Sequence, residues 1–397
     1  MPPAPHPLAM DRRTFLAGVC CSGLATLAAP VLRLARVPGR SKLVFVLLRG
    51  GFDGLAAVVP FNDPDYRRMR GELTYPVEDL TRLDGDFALA PGLSPLKALW
   101  DADQLVALQA VAIPYRTRSH FDAQAILETG LERPEGGADG WLNRLLQVLE
   151  GERAGIAVAA GLPRSMMGAH AVSTWSPASL GVAEGAYLEQ LGLLYRRDPA
   201  LSDSFEAALQ MKDALPEMDD EMGGRVGRQQ EAATLQAAAT FLREPGGPNV
   251  AALEFSGWDT HTNQGLGGGQ LDRLFERLAA GLVGFRDALG DAWADTTVVV
   301  MTEFGRTARP NGTGGTDHGT AGAGLLLGPR LATSRVVTDW PGLSHRALHE
   351  GRDLAPTLDT RAVLRDVITG VFDLSRKQAD TVFPDTGGLR IPGNLMR

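Results

Sequence analysis

The sequence predicts an α/β fold: a large, mostly parallel sheet with helices on both faces and one helical insertion. Three observations predict it. Short apolar runs such as "KLVFVLL" and "TTVVVM" have the near-continuous hydrophobicity of strands buried on both faces. Segments with a 3.6-residue apolar period alternate with those runs, which is the pattern of βαβ units. Glycine and proline are plentiful, 47 and 25 of 397 residues, and accord with many connecting loops.

In chain order, residues 1–36 stand apart. "MDRRTFLAGVCCSGLATLAAP" sets two arginines before an uncharged run from Phe15 to Pro30. That run is shorter than the ~20 residues a bilayer span requires, and it fits an export signal. "DRRTFL" has the pattern of a twin-arginine signal, the route for proteins exported already folded. The expectation is therefore a periplasmic or secreted protein delivered by the Tat machinery and cleaved between Ala28 and Ala35. "AGVC" is a poor lipobox, so no stable membrane anchor is expected. Cys20 and Cys21 are the only cysteines and both lie in the signal, which leaves the mature chain without a disulfide or a thiolate ligand. The formal net charge is −8, and the signal carries four arginines against one aspartate, so the acidity lies in the body. An acidic body argues against nucleic acid or anionic lipid as the main partner.

From 41 to 397 a single α/β domain is expected. Lys42–Leu48 is an apolar run ending at Gly50 and Gly51, the signature of a central parallel strand. Asp103–Pro114 reads as a second strand. "SHFDAQAILETG" opens a helix, with Ser119 and Asp122 at capping-box spacing. "GWLNRLLQVLEG" is an amphipathic helix and "AGIAVAAGLP" another strand. Residues 200–245, rich in Ala, Glu, Gln, Met and Leu, read as a helical insertion or cap. "NVAALEF" returns to strand, "LDRLFERLAAGLVGFRDALG" is a helix, and "DTTVVVMTEFGRT" is a buried strand.

The unusual polar residues fall after those strands. Asp53 follows the first; Ser119 and His120 follow the second; Asp259 and His261 lie in "GWDTH"; Glu303 ends the "TTVVVM" strand; Asp317 and His318 lie in "GGTDHG". Ligands of open α/β sheets bind beyond the carboxyl ends of strands, so these residues are expected to share one crevice. Carboxylates crowded there would turn neutral unless a cation joined them. Carboxylate plus imidazole suits Zn²⁺, Mn²⁺, Mg²⁺ or Fe, and one or two divalent ions are the expected cofactor. Two ions about 4 Å apart would clamp attacking and leaving oxygens.

Each position also has a plain structural reading. Asp53 between glycines suits a turn; Asp259 and His261 suit a helix cap; Glu303 suits an ion pair with Arg306 or Arg309; Ser119 suits an N-cap. His170, His345 and His349 read as surface or structural residues. The chain has no G-x-S-x-G elbow, no Gly–Lys pair for a P-loop and no H-E-x-x-H, and "GAGLLLG" has the wrong spacing for a dinucleotide loop.

The motifs "RRTFLAG", "LRGGFDGL", "SHFDAQAILETG", "GWDTHTNQ", "VVVMTEFGRT", "GGTDHG" and "DWPGL" together resemble a family of Tat-exported bacterial proteins known only as a domain of unknown function and related to the sulfatase and alkaline phosphatase superfamily. The resemblance implies an alkaline-phosphatase-like fold with a metal site at strand ends. Asp53 then looks like the first-strand ligand, Asp259 with His261 like one ligand pair, and Asp317–His318 like the "DHG" pair. Ser119 falls in the region of the superfamily nucleophile, with Thr117 and His120 as neighbouring candidates. The sulfatase C-x-P-S-R motif is absent, which excludes a formylglycine sulfatase.

The expected function is an exported metal-dependent hydrolase of phosphate or sulfate esters, small or polysaccharide. Asp53, Asp259, His261, Glu303, Asp317 and His318 would hold metal; Ser119 and His120 would act at the reacting centre; Arg306 and Arg118 would hold anionic oxygens. The alternative is a non-catalytic exported protein that keeps the same fold for binding or assembly.

Overall fold

Strand β1 (Lys42–Leu48) forms where the sequence expects it, and its alternating side chains show how the layers are built. Leu43, Phe45 and Leu47 enter one hydrophobic cluster, while Val44, Val46 and Leu48 enter another. A strand buried on both faces accounts for the unbroken apolar run. The computed structural model describes residues 40–135, 137, 139–149, 154–159, 161–175 and 223–397. The signal and residues 200–222 of the expected insertion lie outside them.

Eleven more strands follow among the described residues: β2 (Val58–Val59), β3 (Thr81–Arg82), β4 (Ala88–Leu89), β5 (Leu105–Ala112), β6 (Gly155–Val158), β7 (Ser173–Trp175), β8 (Val250–Phe255), β9 (Thr296–Met301), β10 (Gly322–Leu327), β11 (Arg335–Val337) and β12 (Leu358–Asp359). The main sheet has the order β11-β5-β10-β9-β1-β8-β6-β7, with β12 also paired to β5; β2, β4 and β3 make a small separate sheet. β1 runs parallel to β8 and β9, and β6 parallel to β7 and β8. Among the described strands of the main sheet, only β10 runs against its neighbours, β5 and β9; the small sheet is antiparallel. The mostly parallel α/β architecture is therefore as expected.

The reversed strand β10 is the part the sequence reading missed. "GAGLLL" was weighed only as a dinucleotide loop, yet all six residues are buried in the sheet. A short glycine-bearing apolar run has too little periodicity to declare itself.

Helices cover both faces. Gln270–Leu289 turns Leu271, Leu274, Phe275, Leu278, Leu282, Phe285 and Leu289 into the core at helical spacing. Gly223–Arg243, within the expected insertion, buries Leu235, Ala238, Ala239 and Leu242 in the same cluster. That part of the segment is a core helix. On the other face, Trp141 stands edge-on to Phe45, ring centroids 5.2 Å apart. Burying a side chain of this size stabilises by about 1.5–3 kcal/mol. Among the described residues no helix is long and apolar enough to cross a membrane.

Candidate metal centre

Parallel strands deliver their following loops to one edge, and here four do so. Gly50 follows β1, His120 lies beyond β5, Asp259 and His261 follow β8, and Glu303 and Arg306 follow β9. The antiparallel strand solves the remaining placement. Because β10 starts at this edge, the loop leading into it brings Asp317 and His318 to the same place. This is why "DHG" begins 16 residues after β9 ends.

Three imidazoles and one carboxylate converge. His318 Nε2 lies 3.0 Å from His120 Nε2 and 3.0 Å from His261 Nε2. Asp259 Oδ1 is 3.0 Å from His261 Nε2 and 3.1 Å from His318 Nε2, and Asp259 Oδ2 is 3.4 Å from His120 Nε2. His120, Asp259 and His318 each offer a ligand atom, all within 4.8 Å of one another.

The opposite nitrogen of each ring decides what those atoms are. His120 Nδ1 is 2.9 Å from Glu303 Oε1, and His261 Nδ1 is 3.3 Å from Asp317 Oδ1. His318 Nδ1 is 3.1 Å from the Arg118 carbonyl oxygen. Carboxylates and carbonyls only accept, so each Nδ1 carries the proton. Each ring, once deprotonated, presents an Nε2 lone pair to the common centre, where a metal ion would take the place of the protons that Asp259 otherwise attracts. Lone pairs 3.0 Å apart, facing a carboxylate, repel unless a proton or a metal ion lies among them. Histidines anchored through the far nitrogen are the usual support of a metal site, and the donor set suits a divalent transition ion. The residues fit the expected cofactor.

The surrounding groups set the charges. At His120 the Glu303 bond, with help from Asp259, outweighs burial and holds the imidazolium above the ordinary histidine range. Burial lowers His318, an effect that Asp259 opposes and His120 reinforces. Burial works to raise Asp259, but Arg306 and the neighbouring histidines overcome it and keep its carboxyl below the usual range. Glu303 is fully buried. Burial would raise it too, yet the bonds from His120, Gln124 and the Gly50 N–H hold it down.

The expected ligands thus fall into layers. Asp259, His261 and His318 face the centre, joined by His120, which was expected at the reacting centre. Glu303 and Asp317 stand behind histidines, and Asn311 donates to Asp317 at 3.0 Å. Asp53 is elsewhere: buried, it accepts from Arg70 at 2.6 Å, from Gln264 at 2.7 Å and from the Ala56 N–H at 3.2 Å. The cation at Asp53 is a guanidinium, and Asp53 is not among the groups that converge at the centre.

Arg306 also differs from expectation. Its side chain is fully buried, and it donates to Thr316 Oγ1, Thr316 O, Gly50 O and, at 2.5 Å, Asp259 Oδ1. Four of its five N–H donors are engaged and the side chain is fully buried, so Arg306 positions Asp259. Ser119 opens the helix His120–Thr129 as its N-cap residue but makes no capping bond; Asp122 instead accepts from the Tyr115 hydroxyl at 2.6 Å. Arg118 is held by Asp353 and Glu350. His345 and His349 play no part in the cluster.

Three supports escaped the sequence reading: Gln124, Asp353 and Arg352. Buried Asp353 pairs with Arg118 and Arg352, and Arg352 donates at 2.9 Å to the His318 carbonyl. Nothing in "GRDL" signals this, because the pairing spans 235 residues.

A family model described as "Protein of unknown function (DUF1501)" matches residues 100–383. A search of curated proteins found no match. Among solved structures the chain is similar to the PsFucS1 sulfatase from Pseudoalteromonas sp., with 12% identity, TM-score 0.41, and coverage of 90% of this chain and 73% of that one. It is also similar to the C-terminal periplasmic domain of EcEptC from Escherichia coli in complex with Zn, with 12% identity, TM-score 0.41 and 88% coverage of both chains.

Proposed function

The chain belongs to the DUF1501 family, and from that premise we propose that it is an exported, metal-dependent hydrolase of phosphate or sulfate esters. One observation carries the reading: three imidazoles and Asp259 aim lone pairs at a single point while every Nδ1 is tied to an acceptor. His120, His261, His318 and Asp259 would hold one divalent ion. Such an ion supplies a Lewis acid that polarises an ester oxygen and eases deprotonation of an oxygen nucleophile.

The chain's own groups do the rest. Glu303, Asp317 and the Arg118 carbonyl keep the three rings oriented, each with a proton on Nδ1 and Nε2 turned to the centre. Arg306 keeps Asp259 ionised and in place. Ser119, one residue before His120 and free of capping duty, is the proposed nucleophile. Its oxygen would bond to phosphorus or sulfur as the alcohol leaves with a proton, and water would then cleave the seryl ester and restore the hydroxyl. The two-ion scheme loses support, because Asp53 is paired with arginine. Export belongs to this proposal and rests on the twin-arginine segment.

The test is metal content of the purified mature protein, beside the double variant His120→Ala/His318→Ala, followed by assay on 4-nitrophenyl phosphate and 4-nitrophenyl sulfate. About one equivalent of a transition metal, lost in the variant, with hydrolysis lost in parallel and also in Ser119→Ala, is expected. A folded protein that takes up neither Zn²⁺ nor Mn²⁺ sinks the reading. Metal without hydrolysis would favour the non-catalytic alternative.

A further inference from the structure

Beside the centre, one face of the helix His120–Thr129 borders a cavity, open at Phe121 and buried at Ala125 and Glu128. Phe121, Gln124, Ala125 and Glu128 fall at i, i+3, i+4 and i+7, the spacing of a single helical face, and all four line a cavity of about 330 Å³. Phe121 is 88% exposed, and Leu162 across the cavity is 37% exposed; with Met167 they are the large hydrophobics left exposed among the described residues. An aromatic ring held in water on the first turn of a well-packed helix has no structural reason in its own surroundings.

The other wall is polar. Arg49 spans it, bonded to Glu254, to Glu128 at 2.9 Å and to Gln124 Oε1 at 2.5 Å. The same Gln124 donates to Glu303, which holds His120. Cavity and centre therefore share a supporting network, and Phe121 adjoins His120 in the chain. The larger cavity of about 700 Å³, around Tyr75 and Asp272, is lined neither by Gln124 nor by any chain neighbour of the centre's histidines.

We propose that this cavity receives the alcohol portion of the ester, and that this portion is a sugar ring. The chemistry asks for a ligand with one apolar face and a hydroxyl-bearing edge. A pyranose presents axial C–H groups to the Phe121 ring and Leu162, and its hydroxyls can bond to Arg49, Glu128 and Glu254. A purely apolar alcohol would offer that polar wall no hydroxyl, and an anionic one would face Glu128 and Glu254 beside an Arg49 that they already pair, with Arg164 bonded to the Pro134 and Gly137 carbonyls. The assignment rests on the hydrolase reading for its role as a leaving-group site, and its test is independent of turnover.

The experiment is saturation-transfer NMR on the full mature protein with Zn²⁺. The probes are the methyl glycosides of glucose, galactose, mannose and glucuronic acid, with cyclohexylmethanol as the apolar comparison. Transfer to the ring C–H protons of at least one neutral glycoside is expected. Phe121→Ala should weaken it about five- to tenfold, as for loss of an aromatic contact, and Phe121→Trp should retain it. Zinc content should be equal in all three proteins. No transfer from any glycoside, transfer undiminished in Phe121→Ala, or preference for cyclohexylmethanol overturns the proposal. Glycoside binding without zinc would sink the hydrolase reading alone; zinc without glycoside binding would sink this one alone.

Discussion

At Asp53 one carboxylate had two readings, metal ligand or structural acid, and its neighbours decide between them. Its partner Arg70 is as deeply buried as it is, with the ion pair at 2.6 Å. Breaking such a pair leaves an uncompensated buried charge and costs roughly 3–5 kcal/mol. Asp53→Ala should therefore lower stability in urea by that order while the folded fraction keeps its full metal content. Glu303 should behave oppositely. Glu303→Gln keeps the shape and the Gln124–Arg49 chain, but it weakens the acceptor that orients His120. Losses of about 10–100-fold in metal affinity follow from removing such a support, with a small change in thermal stability. Titration with Zn²⁺ against a competing chelator, beside a melting curve, separates the two residues. Equal metal loss in both variants would return Asp53 to the ligand set. The sequence pointed to both acids because both follow strands; it held no sign that Arg70 would arrive beneath one and His120 beside the other.

Strands and loops explain why the site was legible at all. β1, β5, β8 and β9 each read as a mainly apolar run, and the residues after each run reach the centre because parallel strands share one carboxyl edge. The role of His318 needed β10, whose reversal carried no sequence signal, so "DHG" was visible as chemistry but not as geometry. The helix Gly223–Arg243 lies in the segment that reads as a helical insertion or cap, and its Leu235, Ala238 and Leu242 pack into the core. The turn after β1 is the most constrained connection. Gly50 has φ +123°, its N–H donates to Glu303, and a Cβ there would lie 2.4 Å from the Asp259 backbone nitrogen. Gly50→Ala should cost about 1–3 kcal/mol from backbone strain alone, and more once the β1 turn and the Asp259 loop are forced apart. Metal affinity should fall with it, because the two loops carry Glu303's donor and the Asp259 ligand. Gly71→Ala is the comparison, since it shares a positive φ of +53° with open space around it. It should destabilise while leaving metal affinity intact. A Gly50→Ala protein that binds Zn²⁺ as tightly as the parent would show that the close approach does not shape the centre.

Across the whole molecule, Arg49 and Glu128 tie together parts far apart in the chain. Arg49 leaves β1, its own N–H donates to the end of β8, and its guanidinium reaches Glu254 on β8 and Glu128 on the helix after β5. Glu128 also accepts from the Ser165 N–H at 3.0 Å. Burial raises the Glu128 carboxyl above its ordinary range; Glu254 adds to this, and Arg49 and the Ser165 bond only partly oppose it. The sign follows from proton binding: a carboxyl that holds its proton more firmly when folded favours the folded state at low pH. This contribution is fully present below the ordinary glutamate range and is lost as pH rises through the raised folded value. Glu303 and Asp259 have the opposite sign, since their folded values are depressed. Their contribution is present above the ordinary carboxylate range and is lost as pH falls below it. The chelated, metal-free protein should therefore be most stable near the ordinary carboxylate range and decline on both sides. Glu128→Gln should flatten the alkaline side, and Glu303→Gln chiefly the acid side, with a smaller alkaline change because Glu303 also raises His120. Urea denaturation at a series of pH values reads both slopes, and an alkaline decline that persists unchanged in Glu128→Gln would remove Glu128 as its source.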